Sequence, residues 1–376
     1  MTSRNPGRVR RARGVNVQPA GGTPAELGFR MPAEWEVHAA TWIAWPHERR
    51  DWPGKLAPIP WVYGEVVRHL TGGERVRILV DGADIQRRAR ALLDRVGADL
   101  AQVDFVRAPT DRSWTRDTCP LFVKNDAGEV AITNWRFNGW AKYANHRRDD
   151  AVNDRIATRF RLRQWHPSVD LGGKPWRVVL EGGAIDVNGA GTLLATEECL
   201  LDPVQARNPG LSREGLETVL ATHLGVRKVL WLGRGIAGDD THGHVDDLCR
   251  FTDEATVVLA EETDPRDANH APLRENRERL RAMTTADGRR LRVVPLPMPA
   301  PLFLDGIRLP ASYANFYIGN RAVLVPTFND RHDRLALEIL TGLFPTREVV
   351  GIHAVDLVWG LGTLHCMTQQ EPAASS

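Results

Sequence analysis

Long apolar runs, cysteine and net charge of either sign are all scarce in this sequence. No stretch of about 18 apolar residues occurs, so no membrane span is predicted. The four cysteines are scattered, without the paired spacing of a zinc site, which predicts a protein of the reducing cytoplasm without disulfides. No glycine-rich phosphate loop opens a helix after the first predicted strand, which counts against a doubly wound nucleotide-binding sheet.

Charge is unevenly distributed along the chain. The formal net charge is +2, yet residues 1–22 contain five arginines and no acid, which leaves 44 basic and 47 acidic residues in the remainder. Phosphate binding needs a clustered basic face, so nucleic-acid binding is not predicted for the body of the chain. We predict a disordered basic tail over residues 1–22 and a single domain over residues 23–376. The length alone would also fit two smaller domains.

Strand and helix signals alternate along the chain, which predicts a mixed α/β fold. A hairpin is predicted around the turn Asn-Asp-Ala-Gly at 125–128, and strand pairs with one helix per unit recur after it. Apolar periodicity and turn residues assign the strands to 75–80, 103–106, 121–123, 130–135, 178–180, 185–187, 192–196, 228–232, 257–260, 322–325 and 349–353, and helices to 84–95, 211–224 and 333–343.

Four polar clusters punctuate these units at nearly regular intervals. They contain Asp117, Glu181, His244 and Cys366, which are separated by 64, 63 and 122 positions, the last close to twice the common step. Such spacing indicates a repeated supersecondary unit that brings one polar loop per repeat to a common axis. The clusters are therefore predicted to form one site.

The last cluster places a cysteine within Trp-Gly-Leu-Gly-Thr-Leu-His-Cys-Met-Thr-Gln-Gln-Glu-Pro at 359–372. Chain ends usually carry small polar residues of no consequence, so Cys366 in this setting is predicted to be a nucleophile, with the thiolate as the attacking species. The plain alternative for any cysteine is a small buried apolar residue. That is our interpretation of Cys119, Cys199 and Cys249.

Further segments strengthen the pattern: Met-Pro-Ala-Glu-Trp at 31–35, Thr-Glu-Glu-Cys-Leu-Leu at 196–201, Arg-Asn-Pro at 207–209 and Ser-Tyr-Ala-Asn-Phe at 312–316. Together with the four clusters, and in the same order from 31 to 372, they resemble the agmatine deiminase and Porphyromonas-type peptidylarginine deiminase family. That family belongs to the guanidine-modifying enzymes, whose fold is a five-bladed α/β propeller of pseudo-fivefold ββαβ units, the pentein fold. The resemblance implies this fold here.

The resemblance also implies catalytic roles. Cys366 would attack the guanidinium carbon, while Asp117 and Asp246 hold the guanidinium N–H edges. Glu181 would bind the guanidinium as well and orient His244, the general acid and base. These residue types suit the chemistry, because carboxylates form paired hydrogen bonds with a planar cation and one histidine can protonate departing ammonia and then activate water.

Other details of the site are expectations of the same kind. Trp114 would cover the bound cation through a cation–π contact. His244 and Asp246 are predicted to share a face, as alternate residues of a strand do. Two structural alternatives stay open, a salt bridge between Asp117 and Arg116 and a turn-capping role for Glu181.

A rival interpretation uses His242, His244 and Asp246 as metal ligands. This run begins like the His-x-His-x-Asp-His ligands of metallo-β-lactamase-type hydrolases. Asp247 stands where that run has a further histidine, and a metal would leave Cys366 without a role, so we predict neither a metal nor another cofactor. A non-catalytic ligand-binding propeller would also give the cysteine no role.

We therefore expect a deiminase that hydrolyses agmatine or a similar alkylguanidine to ammonia and a ureido product, N-carbamoylputrescine from agmatine on the way to putrescine, through a cysteine-linked thiouronium. Two segments depart from the family: residues 360–363 read Gly-Leu-Gly-Thr instead of three glycines and asparagine, and residues 137–141 read Phe-Asn-Gly-Trp-Ala instead of Phe-Asn-x-Trp-Gly. Deimination of free or peptidyl arginine, another guanidino substrate and amidino transfer therefore stay open. The expected partner is a small guanidino compound, and a homo-oligomer stays open.

Overall fold

The computed structural model describes residues 15–16 and 21–374. Strands and helices alternate through these residues, which confirms the predicted mixed α/β fold. None of the described helices combines the length and the apolar content needed to cross a membrane. Most of the tail predicted over residues 1–22 lies outside the described residues.

The strands are short and belong to several small sheets. In chain order they are β1 (Val15–Asn16), β2 (His38–Ala44), β3 (Arg75–Val80), β4 (Val103–Arg107), β5 (Leu121–Lys124), β6 (Val130–Thr133), β7 (Gln164–Trp165), β8 (Ser168–Asp170), β9 (Pro175–Arg177), β10 (Ile185–Val187), β11 (Thr192–Thr196), β12 (Lys228–Leu232), β13 (Cys249–Phe251), β14 (Thr256–Glu261), β15 (Arg292–Pro297), β16 (Phe303–Leu304), β17 (Ile307–Arg308), β18 (Tyr317–Ile318), β19 (Ala322–Thr327), β20 (Glu348–His353) and β21 (Gln369–Pro372).

The α-helices alternate with these strands. They are α1 (Ile59–Leu70), α2 (Ala83–Arg95), α3 (Thr115–Thr118), α4 (Arg147–Asp150), α5 (Val152–Phe160), α6 (Glu197–Leu201), α7 (Arg213–Leu224), α8 (His270–Arg281) and α9 (Asp333–Leu343).

Five sheets in the described part of the chain share one topology. In each, an antiparallel strand pair is extended by a third strand that runs parallel to the second, in the orders β5-β6-β7, β10-β11-β12, β13-β14-β15, β18-β19-β20 and β21-β2-β3. The last of these joins the two ends of the chain and gains β4 as a fourth strand. The sheet β1-β8-β9 and the hairpin β16-β17 lie outside this pattern.

A helix supplies the crossover that each parallel connection requires. The crossovers of the five sheets contain α1, α5, α7, α8 and α9. In α7, Leu216, Val219, Leu220 and Leu224 are buried, which gives the apolar stripe of a helix packed on a sheet. The parallel strands are covered as well: in β19, five of the six residues are buried, so the strand is a nearly continuous apolar run.

The first strand of each of these sheets follows a short polar loop or turn. Three of the turns meet, because the 3₁₀ turn Gly182–Ala184 contacts both α3 and the 3₁₀ turn Val245–Asp247. The repeated topology therefore brings loops that are more than sixty residues apart in the sequence to one place.

Some predicted bounds differ from the structure, and the strand predicted over 130–135 ends at Thr133. The strand predicted at 178–180 is wrong, because only an isolated bridge between Val179 and Arg136 forms there. Asn208 bonds both backbone groups of Val179: Asn208 Oδ1 accepts from Val179 N at 2.8 Å and Asn208 Nδ2 donates to Val179 O at 2.8 Å. The helix predicted from residue 211 begins instead at Arg213, since Ser212 caps it by accepting from Gly215 N at 3.1 Å.

Candidate active site

The polar residues that precede the first strands of the sheets converge. His244 Nδ1 lies 3.9 Å from Asp117 Oδ1, and His244 Nε2 lies 3.8 Å from Glu181 Oε2. Asp246 adjoins both the histidine and the sulfur, with Oδ1 at 4.0 Å from His244 Nδ1 and Oδ2 at 4.0 Å from Cys366 Sγ. The five residues predicted from the sequence to act together thus lie in one cluster.

Backbone hydrogen bonds tie the segment around Asp117 to the segment around Cys366. Arg116 N donates to Cys366 O at 3.1 Å, and Thr115 Oγ1 donates to Met367 O at 2.7 Å. Because α3 and β21 are distant in sequence, these bonds are what hold the predicted nucleophile beside the predicted guanidinium-binding carboxylate.

A cleft of about 230 Å³ gives access to Cys366. Trp114, Asp117 and Gly362 also line it. A Cβ added to Gly362 would lie 3.0 Å from the Trp114 ring and 3.3 Å from Cys366 Sγ, so glycine here leaves the sulfur accessible. Trp114 packs on Trp52, with 5.2 Å between the ring centroids, and is therefore placed rigidly beside the cleft.

Cys366 is a protonated thiol in this environment. Burial raises its pKa well above the ordinary value, and the negative charges of Asp246, Asp247 and Asp117 raise it further. A cation in the cleft would offset these charges and favour the thiolate.

His244 is buried next to several acids, and its pKa lies well above the ordinary value. Burial opposes the charged form, but the neighbouring Asp117, Cys199 and Glu181 outweigh it. The imidazolium is therefore the favoured form before a substrate binds, and it can donate a proton.

The backbone at His244 differs from the predicted strand. His244 precedes a 3₁₀ turn, Val245–Asp247, and the carboxylate of Asp239 fixes this turn by accepting from Gly243 N at 2.7 Å and from His244 N at 2.8 Å. The strand predicted for His244 and Asp246 is therefore wrong. His244 and Asp246 nevertheless face each other, because the turn brings the two side chains to the same cluster.

Asp117 is held by two donors and does not pair with Arg116. Its Oδ2 accepts from Trp140 Nε1 at 2.8 Å and its Oδ1 from Gly183 N at 3.0 Å, whereas Arg116 pairs with Glu34. Burial raises the pKa of Asp117 to about 6, although the nearby His244 opposes the rise. A Cβ on Gly183 would lie 2.5 Å from His244 Nδ1, which explains why glycine occupies position 183 in this close-packed turn.

Asp246 and Glu181 each have a fixed partner. His365 Nδ1 lies 2.6 Å from Asp246 Oδ2, and although burial disfavours the carboxylate, this hydrogen bond lowers the pKa of Asp246. Arg207 donates through Nε to both oxygens of Glu181, at 3.1 and 3.3 Å, and its charge keeps the pKa of Glu181 low against the cost of burial. Glu181 makes no side-chain cap of its turn.

Asn315 is a site residue that was not predicted. Its Nδ2 donates to Cys366 Sγ at 3.2 Å and to Asp247 Oδ1 at 3.0 Å. Its Oδ1 accepts from Thr363 Oγ1 at 2.6 Å and from His365 N at 3.0 Å. Asn315 precedes β18, the first strand of the fifth sheet with the common topology. The interval between His244 and Cys366, about twice the common step, was the signal that a site residue lies between them.

The three residues of the rival metal interpretation do not come together as one ligand set. His242 Nε2 lies 3.7 Å from Asp202 Oδ1, away from His244. Within the described residues, the groups close enough to share an ion are Glu181 with Cys199 and His244, and Asp246 with Asp247 and Cys366. Each contains at most one histidine, and Glu181 is already paired with Arg207, so the histidine-based hydrolase site considered above has no counterpart.

The comparisons place the chain in the deiminase class, hydrolases that act on the C–N bonds of amidines. The family described as Porphyromonas-type peptidyl-arginine deiminase matches residues 30–372, and the chain belongs to it. This confirms the resemblance inferred from the sequence motifs.

Individual relatives are similar over nearly the whole chain. The agmatine deiminase of Pseudomonas fluorescens is 36% identical over 374 residues, which cover 93% of this chain and 97% of the relative. That of Stutzerimonas stutzeri is 37% identical over 379 residues, with the same coverage. The solved agmatine deiminase of Enterococcus faecalis superimposes with a TM-score of 0.85 at 32% identity and covers 95% of this chain and 100% of its own.

Proposed function

We propose that this protein is a guanidine iminohydrolase that converts agmatine or a similar alkylguanidine to ammonia and a ureido compound, N-carbamoylputrescine when agmatine is the substrate. The observation that carries the proposal is the clustering of Cys366, His244 and three carboxylates, with Cys366 and Asp117 lining the cleft. Agmatine is the first compound to assay, because the relatives described above are agmatine deiminases.

Binding begins with the carboxylates. Asp246 Oδ1 and His244 Nε2 are both buried, and neither atom has a hydrogen-bond partner. A guanidinium between Asp117, Asp246 and Glu181 would supply N–H donors to this acceptor and place its planar carbon near Cys366 Sγ. Trp114, beside the same cleft, would contact the face of the cation.

The substrate then assists in forming the nucleophile. Its positive charge lowers the pKa of the Cys366 thiol, which neighbouring carboxylates hold high in the empty cleft. The thiol releases its proton to water in the cleft, and the thiolate attacks the guanidinium carbon and forms a C–S bond. His244, an imidazolium beforehand, protonates the departing nitrogen, so the C–N bond breaks and ammonia leaves while a thiouronium remains on sulfur.

Hydrolysis completes the cycle. His244, now neutral, takes a proton from water, and the hydroxide adds to the thiouronium carbon. The C–S bond breaks, the ureido product forms, and the sulfur leaves as a thiolate that is reprotonated. Asn315 Nδ2, at 3.2 Å from Sγ, would stabilise the anionic sulfur in both the attacking and the leaving steps.

The architecture proposed for this chemistry is a five-bladed propeller. The five sheets with a common topology support it, and so does the position of Asp117, Glu181, His244, Asn315 and Cys366 before the first strands of those sheets. We place the single catalytic domain over residues 23–376. The four free cysteines fit a reducing compartment, and we propose the cytoplasm.

An ammonia-release assay tests the function. We expect purified protein to release ammonia from a guanidino compound, with one ureido product per ammonia, and we would compare agmatine, free arginine, a peptidyl arginine and short guanidino acids. Amidino transfer would instead require an added amine and yield no ureido product. Absence of turnover on every guanidino compound would refute the proposal.

A further inference from the structure

The wall of the cleft contains an ion pair that the proposed chemistry does not use. Asp51 and Arg112 line the same cleft as Cys366. Arg112 Nη1 donates to Asp51 Oδ1, and both side chains are largely buried, with 11% of Arg112 and none of Asp51 exposed. This charged pair forms part of the cleft wall but does not belong to the carboxylate cluster around His244.

Neighbouring groups fix the guanidinium of Arg112. Its Nη2 donates to Asn145 Oδ1 at 3.3 Å, and its Cζ lies 4.3 Å from the ring centre of Tyr143 and 5.7 Å from that of Trp140. The backbone is fixed as well, since Arg112 N donates to Asp149 Oδ1 at 3.4 Å. Such a preorganised arginine loses little freedom when it binds an anion.

Each member of the pair has a buried atom without a partner. Arg112 Nε is an unused donor, and Asp51 Oδ2 is an unused acceptor. Among the described residues that line the cleft, no other side chain has a buried polar atom without a hydrogen-bond partner. Other charges that line the cleft are engaged, Arg50 with Glu48 and Asp240 with Lys142. Unsatisfied buried groups are unusual, so a ligand that supplies one acceptor and one donor would fit here.

We propose that Asp51 and Arg112 form the subsite for the far end of the substrate, and that it selects a guanidino compound bearing both a carboxylate and an ammonium, an α-amino acid such as arginine, over agmatine. The carboxylate would accept from Arg112 and the ammonium would donate to Asp51. Agmatine offers only an ammonium, which leaves the Arg112 donor unused and brings a cation close to its charge. This subsite would restrict the range of guanidino substrates, and the proposal rests on the deiminase chemistry proposed above.

Cleft size agrees with a single amino acid. At about 230 Å³ the cleft is smaller than the roughly 300–1,000 Å³ typical of drug-sized ligands. A small zwitterion fits this volume better than an internal peptide residue does.

The test is a comparison of kcat/KM for L-arginine, agmatine and 4-guanidinobutyrate, which has the carboxylate but no ammonium. We expect wild-type protein to prefer L-arginine over agmatine by about tenfold or more, because a site built for a charged hydrogen bond discriminates against a ligand that lacks it. 4-Guanidinobutyrate should fall between them.

Variants at Arg112 and Arg50 test whether Arg112 causes the preference for L-arginine. In Arg112→Gln, KM for L-arginine should rise by about 10- to 100-fold with a smaller change in kcat, while kcat/KM for agmatine changes by less than about threefold or improves. Arg50→Gln is the matched control: it lines the same cleft, but 72% of its side chain is exposed and it pairs with Glu48, so the preference should persist. Arg112→Lys should retain part of the preference, and thermal unfolding of each variant verifies the fold.

Two results would overturn the subsite. One is a wild-type preference for agmatine, and this outcome needs no variant. The other is a preference for L-arginine that survives in folded Arg112→Gln. Turnover of agmatine in either case leaves the deiminase function standing, whereas no ammonia from any of the three compounds would overturn the function and the subsite together.

Discussion

Asn315 Nδ2 lies 3.2 Å from Cys366 Sγ, and the same nitrogen donates to Asp247 Oδ1 at 3.0 Å. One amide therefore links the predicted nucleophile to an acid that burial and Asp246 hold at a raised pKa. With its Oδ1 on Thr363 and on the backbone of His365, Asn315 also shapes the loop that carries the cysteine.

Replacement of Asn315 tests this link. Asn315→Ala should lower kcat by about 10- to 100-fold, since the sulfur loses its donor and the cysteine loop loses two hydrogen bonds. Asn315→Asp should be worse than alanine, because a second carboxylate beside Sγ raises the pKa of the thiol further. Steady-state kinetics with circular dichroism as the fold check decide this, and equal activity in Asn315→Asp and wild type would contradict it.

Cys366→Ser should reduce turnover by more than about a thousandfold, because a serine hydroxyl is scarcely ionised where a thiol can become a thiolate. The fold should persist, since the hydroxyl differs from the thiol by one atom. Ammonia release measures the effect. Cys119→Ser is a cysteine control away from the cleft, expected to keep the site chemistry. Activity within tenfold of wild type in Cys366→Ser would exclude this residue as the nucleophile.

Thiol and metal chemistry respond oppositely to two reagents. A strong chelator should leave activity unchanged within about twofold, since His242 is not placed to share a metal with His244. Iodoacetamide should inactivate, and bound substrate should protect by covering the sulfur. Inactivation by the chelator together with stoichiometric metal in elemental analysis would instead restore the metallohydrolase interpretation.

Alkylation of Cys366 should depend steeply on pH. Burial and the charges of Asp246, Asp247 and Asp117 raise the pKa of the thiol well above its ordinary value, so the rate of inactivation should keep rising through pH 9 without a plateau. In Asp246→Asn one of these charges is gone, and the profile should move to lower pH. A plateau near pH 7 in the substrate-free wild type would mean that the thiolate forms without the substrate's charge.

His244 and the carboxylates should fail at different steps. His244→Ala can still bind substrate but lacks the group that expels ammonia and activates water, so any covalent adduct on Cys366 should accumulate there. Asp117→Ala and Asp246→Ala should show none, because the guanidinium is no longer held in line with the sulfur. Intact-protein mass spectrometry after mixing with substrate distinguishes them. As much adduct in Asp117→Ala as in His244→Ala would remove Asp117 from the binding role.

Interactions between residues close in sequence explain which helices and strands could be predicted. Helix 333–343 was predicted to the residue and α7 to within two, because apolar periodicity and caps act within a few positions. The strand predicted at 178–180 failed because Asn208, about thirty residues later, supplies the hydrogen bonds that Val179 would otherwise make in a sheet. No local pattern could have carried that information.

The family, the repeated unit and the five candidate site residues could all be predicted from the sequence, because residue type suggests the nucleophile, the acid and the carboxylates, and their spacing follows the repeat. Their surroundings depend on how the chain folds. Arg207 on Glu181, Asn315 on the sulfur and the Asp51–Arg112 pair in the wall of the cleft join elements distant in sequence. Such contacts arise when separate sheets pack their polar turns together, and this packing fixes the charges, and hence the pKa values, at the site.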